Sequence, residues 1–400
     1  MKRLMLSAVA ALAAVTASAQ GGNTGFGGPD GDYKALAERV LNLEKKTEGF
    51  NLYLNYAGSF QQTLDPLTSA FRAKQFRLEI KGQFGDHLTY RFRHRLNKSN
   101  AAMSEENFAK ATDIMLLGWR FNDKFAIQAG KMCQWWGGFE FDENPMYIYQ
   151  YSDLLDCMDN FLTGVAFIYN PVPSQEFVVN ITNSYSGKFA DEYGAGAGIQ
   201  GSSDHLRAAD TPLCYILNWN GSFFGGIFKT RWSVGSYTQA RRFQMDGDVV
   251  SGKDLHDRLL YLGQSLNFKK FQVYFDYMGN YEQLDRMRIA SDLLCESGTY
   301  LDNVRYDSYV AKANWQFLPR FNLMGKFMYE TAGRFGLDPF RVSKGYVASL
   351  EFYPQADQDL RFFLACAGKD WEFRGNGNPA SRGERFNRIE LGFMYRIKCY

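Results

Sequence analysis

One pattern repeats sixteen times from residue 50 onward: a stretch alternating apolar or aromatic residues with polar ones, then a connection, by turns short and long. Period two means β-strand, because successive strand side chains point to opposite faces. The stretches lie at 50–60, 72–84, 88–97, 111–121, 125–135, 161–169, 176–186, 212–220, 223–238, 257–267, 271–283, 303–317, 321–332, 343–353, 360–373 and 385–399. Short turns such as Gly85-Asp86-His87, Asn122-Asp123-Lys124 and Leu318-Pro319-Arg320 alternate with long connections at 61–71, 98–110, 136–160, 187–211, 239–256, 284–302, 333–342 and 374–384. Short turns at one rim and long loops at the other are the layout of a membrane-crossing antiparallel barrel, with both chain ends on the short-turn side. A soluble sandwich has no reason for this asymmetry. A barrel also leaves no open sheet edge, which lipid would not tolerate. The expected fold is all-β, a 16-stranded antiparallel transmembrane β-barrel over 50–400 with a short N-terminal helical segment.

The N-terminal residues point to export. Met1-Lys2-Arg3 is charged, Leu4 to Val15 is mostly apolar, and Ala17-Ser18-Ala19 fits a cleavage site, so residues 1–19 read as a signal peptide. Gln20 rather than Cys follows, which disfavours a lipoprotein. Residues 20–32 form a Gly-rich linker. Residues 33–49 read as a short amphipathic helix, with Tyr33, Leu36, Val40, Leu43 and Thr47, then Phe50, on heptad spacing. So short a helix is marginal alone. It suits either a tethered oligomer or packing against its own barrel.

No later apolar run is long enough for a spanning helix, yet aromatics make up 16% of the residues, as a barrel with aromatic girdles requires. Without Lys2 and Arg3 the chain carries 43 basic and 43 acidic residues, so nothing points to nucleic acid.

Within LTYRFRHRLN (88–97), Arg91, Arg93 and Arg95 share one face, and Tyr90 and Phe92 the other. One charge facing lipid at mid-bilayer costs roughly 2–4 kcal/mol. Three would cost on the order of 10 kcal/mol, comparable to the stability of a whole domain. The arginines therefore face the lumen. His94 falls on the lipid parity, near the membrane boundary. In FRLEIKGQF (76–84), Arg77, Glu79, Lys81 and Gln83 point inward by the same logic. Parity also puts Lys229, Arg231, Lys312, Lys326 and Lys369 inside, with the acids Asp276, Glu330, Glu351 and Glu390. The expected pore-lining set is Arg77, Lys81, Arg91, Arg93, Arg95, Lys229, Arg231, Lys312, Lys326 and Lys369. A basic wall concentrates anions. The connection at 136–160 carries Glu140, Asp142, Glu143, Asp153, Asp156 and Asp159. Folded inward, these acids oppose the basic wall; an external position is the other reading.

AIQAGKMCQWWGGFE (126–140) resembles the segment of phosphate-selective porins O and P in which a strand ends before a turn into the constriction loop. It departs in lacking Pro and in carrying Trp135 and Trp136. The resemblance spans most of the chain and implies a trimeric anion channel of the Gram-negative outer membrane, with Arg and Lys in its constriction. RIELGFMYRIKCY (388–400) alternates Ile389, Leu391, Phe393, Tyr395, Ile397 and Cys399 outward and ends on an aromatic, Tyr400, as barrel-assembly signals do.

Other chemistry finds little support. Gly196 to Gly201 matches GxGxxG but lacks a strand–helix context and reads as flexible loop. His87, His94, His205 and His256 show no HExxH, and Cys133, Cys157, Cys214, Cys295, Cys366 and Cys399 show no CxxC. Cys366 and Cys399 fall on adjacent predicted strands, where a bridge is one option. No GxSxG marks a serine hydrolase. An apolar-substrate transporter conflicts with the inward cations. The expectation is a cofactor-free porin passing small hydrophilic or anionic solutes, set in outer-membrane lipid. The competing reading is a structural or adhesive barrel without conductance.

Overall fold

The computed structural model describes residues 49–64, 66–246, 249–355, 359–374 and 384–399. The leader, the linker and all but Gly49 of the N-terminal segment lie outside the described residues. The wall begins with β1 (Asn51–Leu64), β2 (Leu67–Phe84), β3 (Leu88–Arg95), β4 (Thr112–Arg120), β5 (Phe125–Cys133), β6 (Phe161–Val172), β7 (Gln175–Asn183) and β8 (Leu213–Phe223). It continues through β9 (Phe228–Asp246), β10 (Val249–Phe268), β11 (Phe271–Leu284), β12 (Asp302–Leu318), β13 (Phe321–Arg334), β14 (Arg341–Phe352), β15 (Asp359–Phe373) and β16 (Glu384–Lys398). Each pairs antiparallel with the next. β16 returns to β1 from Tyr53↔Lys398 to Thr63↔Arg388, so the sheet closes.

Alternation explains the two faces. On β4, Met115, Leu117 and Trp119 are exposed while the alternate residues Ile114 and Leu116 are buried. The same outward apolar face carries Phe167, Val234, Phe327 and Leu391. Near the short-turn rim it becomes aromatic, with Phe121, Phe125, Phe177, Phe268, Phe271 and Trp315 exposed. A soluble protein does not leave so continuous an apolar belt in water. A closed wall with that belt is what a bilayer requires.

Two connections expected to be loops are strand. The β1–β2 ladder runs on to Leu64↔Leu67, and the β9–β10 ladder to Asp246↔Val249. Both hairpins stand above the apolar belt, where neither face needs to be apolar, so the period-two signal fades while the hydrogen bonds continue. The start expected at 223 moves to Phe228, because Phe224, Gly225 and Gly226 all take positive φ in a tight turn.

The long-loop rim is ordered on one side. Residues 205–208 add to β9 at 240–243, and Gly198–Ile199 pairs with Thr299–Tyr300. The GxGxxG segment thus holds a short strand rather than a free loop. All six cysteines are unpaired. Cys366 stands opposite Ile389, ten residues from Cys399, so the register keeps those two thiols apart.

Candidate channel constriction

The β2–β3 register sets Arg77 against Arg95, Glu79 against Arg93 and Lys81 against Arg91. Packed so closely, the guanidiniums need counter-charge. Arg91 takes Glu79 at 2.6 Å, with Arg396 of β16 4.0 Å away on its far side. Arg95, Arg93 and Arg77 all converge on Asp113, at 2.8, 3.3 and 3.5 Å.

Asp113 is a residue that alternation misplaces. Its parity is that of lipid-facing Met115. The β3–β4 register, however, jumps from Arg93↔Ile114 to His94↔Thr112 and leaves Asp113 as the extra residue of a bulge. The bulge turns its carboxylate inward. Lys74 follows the same rule. The β1–β2 ladder skips it between Ala57↔Gln75 and Gly58↔Ala73, and its ammonium reaches Glu390 at 2.6 Å. A charge on the lipid parity beside an inward cluster of opposite sign was the signal that marks Asp113; Lys74 has only Glu390, on a strand remote in sequence, and no local signal. His94 is half-buried, its ring bonded to Thr112 and Asn100 at the end of β3.

The connection at 134–160 folds into the lumen. Its short helices α1 (Phe139–Asp142) and α2 (Asp153–Cys157) flank a strap across the barrel. The N–H groups of Phe139 and Glu140 donate to Asp276 at 3.0 and 2.8 Å. Gly138 permits this approach, since a Cβ there would sit 2.3 Å from the Asp276 carboxylate. Trp136 stacks on Tyr261 at 4.9 Å, and Tyr149 meets Phe363 edge-on.

The strap's acids then meet wall cations one by one. Glu140 pairs with Lys326, Glu143 with Lys312, and Asp142 with Arg231 at 2.8 Å. Asp153 holds Lys369 at 2.5 Å and Arg341 at 2.6 Å. Burial pushes the Glu143 carboxyl above its ordinary range, against the pull of Lys312. Strap carbonyls take further donors: Gln150 from Lys326, Met146 from Arg361 and Tyr149 from Arg388.

Between the strap and β2–β5 lies a cavity of about 410 Å³. On the wall side Arg77, Arg91, Arg93, Arg95, Lys98, Lys110 and Lys131 line it, with Asp113. On the strap side stand Asp142, Glu143, Tyr151, Asp156 and Asp159, with Phe161 beside them at the start of β6. Four of the ten sequence-derived cations thus share one cavity. Arg231, Lys312, Lys326 and Lys369 point inward but tether the strap. Lys81 lies over the Tyr53 ring at 5.2 Å, and Lys229 sits beside the short turn after β8. The inward acids Glu79, Asp276, Glu330, Glu351 and Glu390 are all buried within the barrel. Sequence parity missed Asp113, Lys74 and the Lys131–Glu106 pair.

A closed sixteen-stranded wall, an apolar belt outside and a strap that narrows a charged lumen define a porin-type transmembrane barrel. The chain belongs to the phosphate-selective porin O and P family, whose model matches residues 50–397. Family and fold indicate a channel rather than an enzyme. Solved structures repeat the fold. The outer membrane channel DcaP of Acinetobacter baumannii is 9% identical, with a TM-score of 0.56 over 88% of this chain and 99% of that one. OmpF of Salmonella typhi, in complex with daunomycin, is 11% identical, with a TM-score of 0.54 over 87% and 97%. OmpT of Vibrio cholerae in a trimer form is 12% identical, with a TM-score of 0.50 over 87% and 99%. No curated protein matches the sequence.

Proposed function

We propose that this protein is a passive channel of the Gram-negative outer membrane for small hydrophilic solutes, with a preference for anions. One observation carries the reading. Four arginines from two adjacent strands face a single cavity with two wall carboxylates, Glu79 and Asp113, among them. Seven cations and five carboxylates line the cavity itself, while Glu79 and Glu106, the partners of Arg91 and Lys131, stand behind that lining, so the surface a solute meets is the more basic. A confined positive field raises the local concentration of anions and speeds their entry. Arg77, Arg91, Arg93 and Arg95 supply that field. Arg231, Lys312, Lys326 and Lys369 act indirectly, by seating the strap that narrows the passage. Lys81 and Lys229 belong to the lumen wall toward the short-turn rim. A homotrimer in outer-membrane lipid is part of the proposal, supported by the family and by the trimer form of the Vibrio cholerae neighbour.

The test is the reversal potential of the purified protein in a planar bilayer under a KCl gradient, followed by phosphate titration. An anion-selective potential with phosphate block supports a phosphate-type channel. A potential near zero makes the protein a general porin. A second reading, a structural barrel without conductance, is favoured by the strap itself, whose aromatic residues join the buried core of the lumen. Absence of conductance from folded protein would select it.

A further inference from the structure

We propose that the cavity favours solutes carrying both charges, zwitterions of the amino-acid type, over simple anions of equal size; this rests on the channel reading above. Once the internal pairs are formed, charge remains on both sides of the cavity.

On the wall side, Arg77, Arg93 and Arg95 share the single carboxylate of Asp113. Three guanidiniums carry far more donors than two oxygens can accept. Arg95 keeps the most open guanidinium of the three, its side chain 24% exposed at the cavity wall. An incoming carboxylate, sulfonate or phosphate finds donor capacity there.

On the strap side the balance is reversed. Asp142 and Glu143 are taken by Arg231 and Lys312. Asp156 and Asp159 line the same cavity, are exposed, and form no ion pair among the described residues. Asp156 accepts from Gln150 at 3.3 Å, and Asp159 from Ser186 at 2.7 Å. Neither carboxylate has a direct ion pair among the described residues, although the Arg286 guanidinium reaches the Asp159 carbonyl at 3.5 Å and Lys369 acts on Asp156 from further off.

The uncommitted field is therefore positive on one side and negative on the other. A simple anion is drawn to the arginines and repelled by the aspartates. A solute with its anionic and ammonium groups a few bonds apart meets attraction on both sides. Tyr151 and Phe161 line the space between and offer ring surface to a short carbon body. The contacts are solvated, so they favour entry without trapping the solute.

The probes are taurine and isethionate, which share an ethanesulfonate skeleton and differ in ammonium against hydroxyl. Purified full-length protein is placed in liposomes, and exchange of each labelled solute is followed at equal concentration inside and out, so no net charge moves. Taurine is expected to exchange about threefold faster, the size of effect solvated charge contacts give. The Asp156→Asn, Asp159→Asn double variant should erase that difference and speed isethionate. Isethionate matching or outrunning taurine in the unaltered protein would overturn the inference. So would a taurine preference that survives the double substitution. KCl conductance measured on the same preparation separates the two claims: a conducting protein without taurine preference overturns only this inference, whereas a protein with neither conductance nor exchange overturns the channel reading as well.

Discussion

On β9, β12, β13 and β15, Arg231, Lys312, Lys326 and Lys369 each reach a carboxylate of the lumenal strap; on β2 and β3, Arg77, Arg91, Arg93 and Arg95 reach carboxylates of the wall itself. Both sets obey the same alternation, yet their environments differ. Lys312, Lys326 and Lys369 are almost fully buried, each on an acid brought from elsewhere in the chain. Arg91 and Arg95 keep partial access to the cavity, and Asp113 is shared three ways. Pointing inward thus makes a residue a tether or a source of field according to what stands opposite.

The sharpest way to break that distinction is Glu140→Ala. It leaves Lys326 buried without its carboxylate and Ser152 without its acceptor. Orphaning one partner of a buried pair costs about 3–5 kcal/mol. The strap should leave its seat, raising single-channel conductance and lowering the thermal midpoint in detergent. If conductance and melting both stay unchanged, the cations of that side are not tethers.

A smaller effect compares the two sides directly. Asp113→Asn removes the carboxylate shared by three arginines, so the reversal potential should move further toward the chloride limit. Arg95→Gln should move it the opposite way. Lys369→Gln should leave it in place while lowering the melting temperature, because Asp153 keeps Arg341. A selectivity change from Lys369→Gln as large as that from Arg95→Gln would erase the comparison.

The smallest effect comes from salt. Raising ionic strength from about 0.1 M to about 1 M shortens the screening length from about 10 Å to about 3 Å. Anion preference should weaken, whereas the buried strap pairs, largely shielded from salt, should hold the melting temperature nearly constant. Bilayer recordings and melting curves taken at both salts check this.

Strand positions were legible because lipid enforces period two, and the inward direction of Arg77, Arg91, Lys312 and Lys369 followed from it. The failures have physical causes. A bulge reverses parity for a single residue, which hid Asp113 and Lys74. Above the bilayer no apolar face is needed, which hid the upper parts of the β1–β2 and β9–β10 hairpins. The strap's course was open because its acids are equally soluble outside. What fixes it is the set of lysines aligned on distant strands, a match that local spacing does not display.

That match has a temporal side. Glu143 finds its lysine 169 residues later in the chain, Glu140 186 residues later and Asp153 216 residues later. The strap therefore has no seat until the second half of the wall exists. The seam between β1 and β16 is likewise the last that the chain can make. Contacts so remote in sequence make folding slow, since the chain must lose much of its freedom before they form. Filling the lumen and shutting the cylinder are late events in the birth of this molecule, and a chain stopped before β15 would hold a strap whose Asp153 has lost Lys369 and a cylinder that cannot shut.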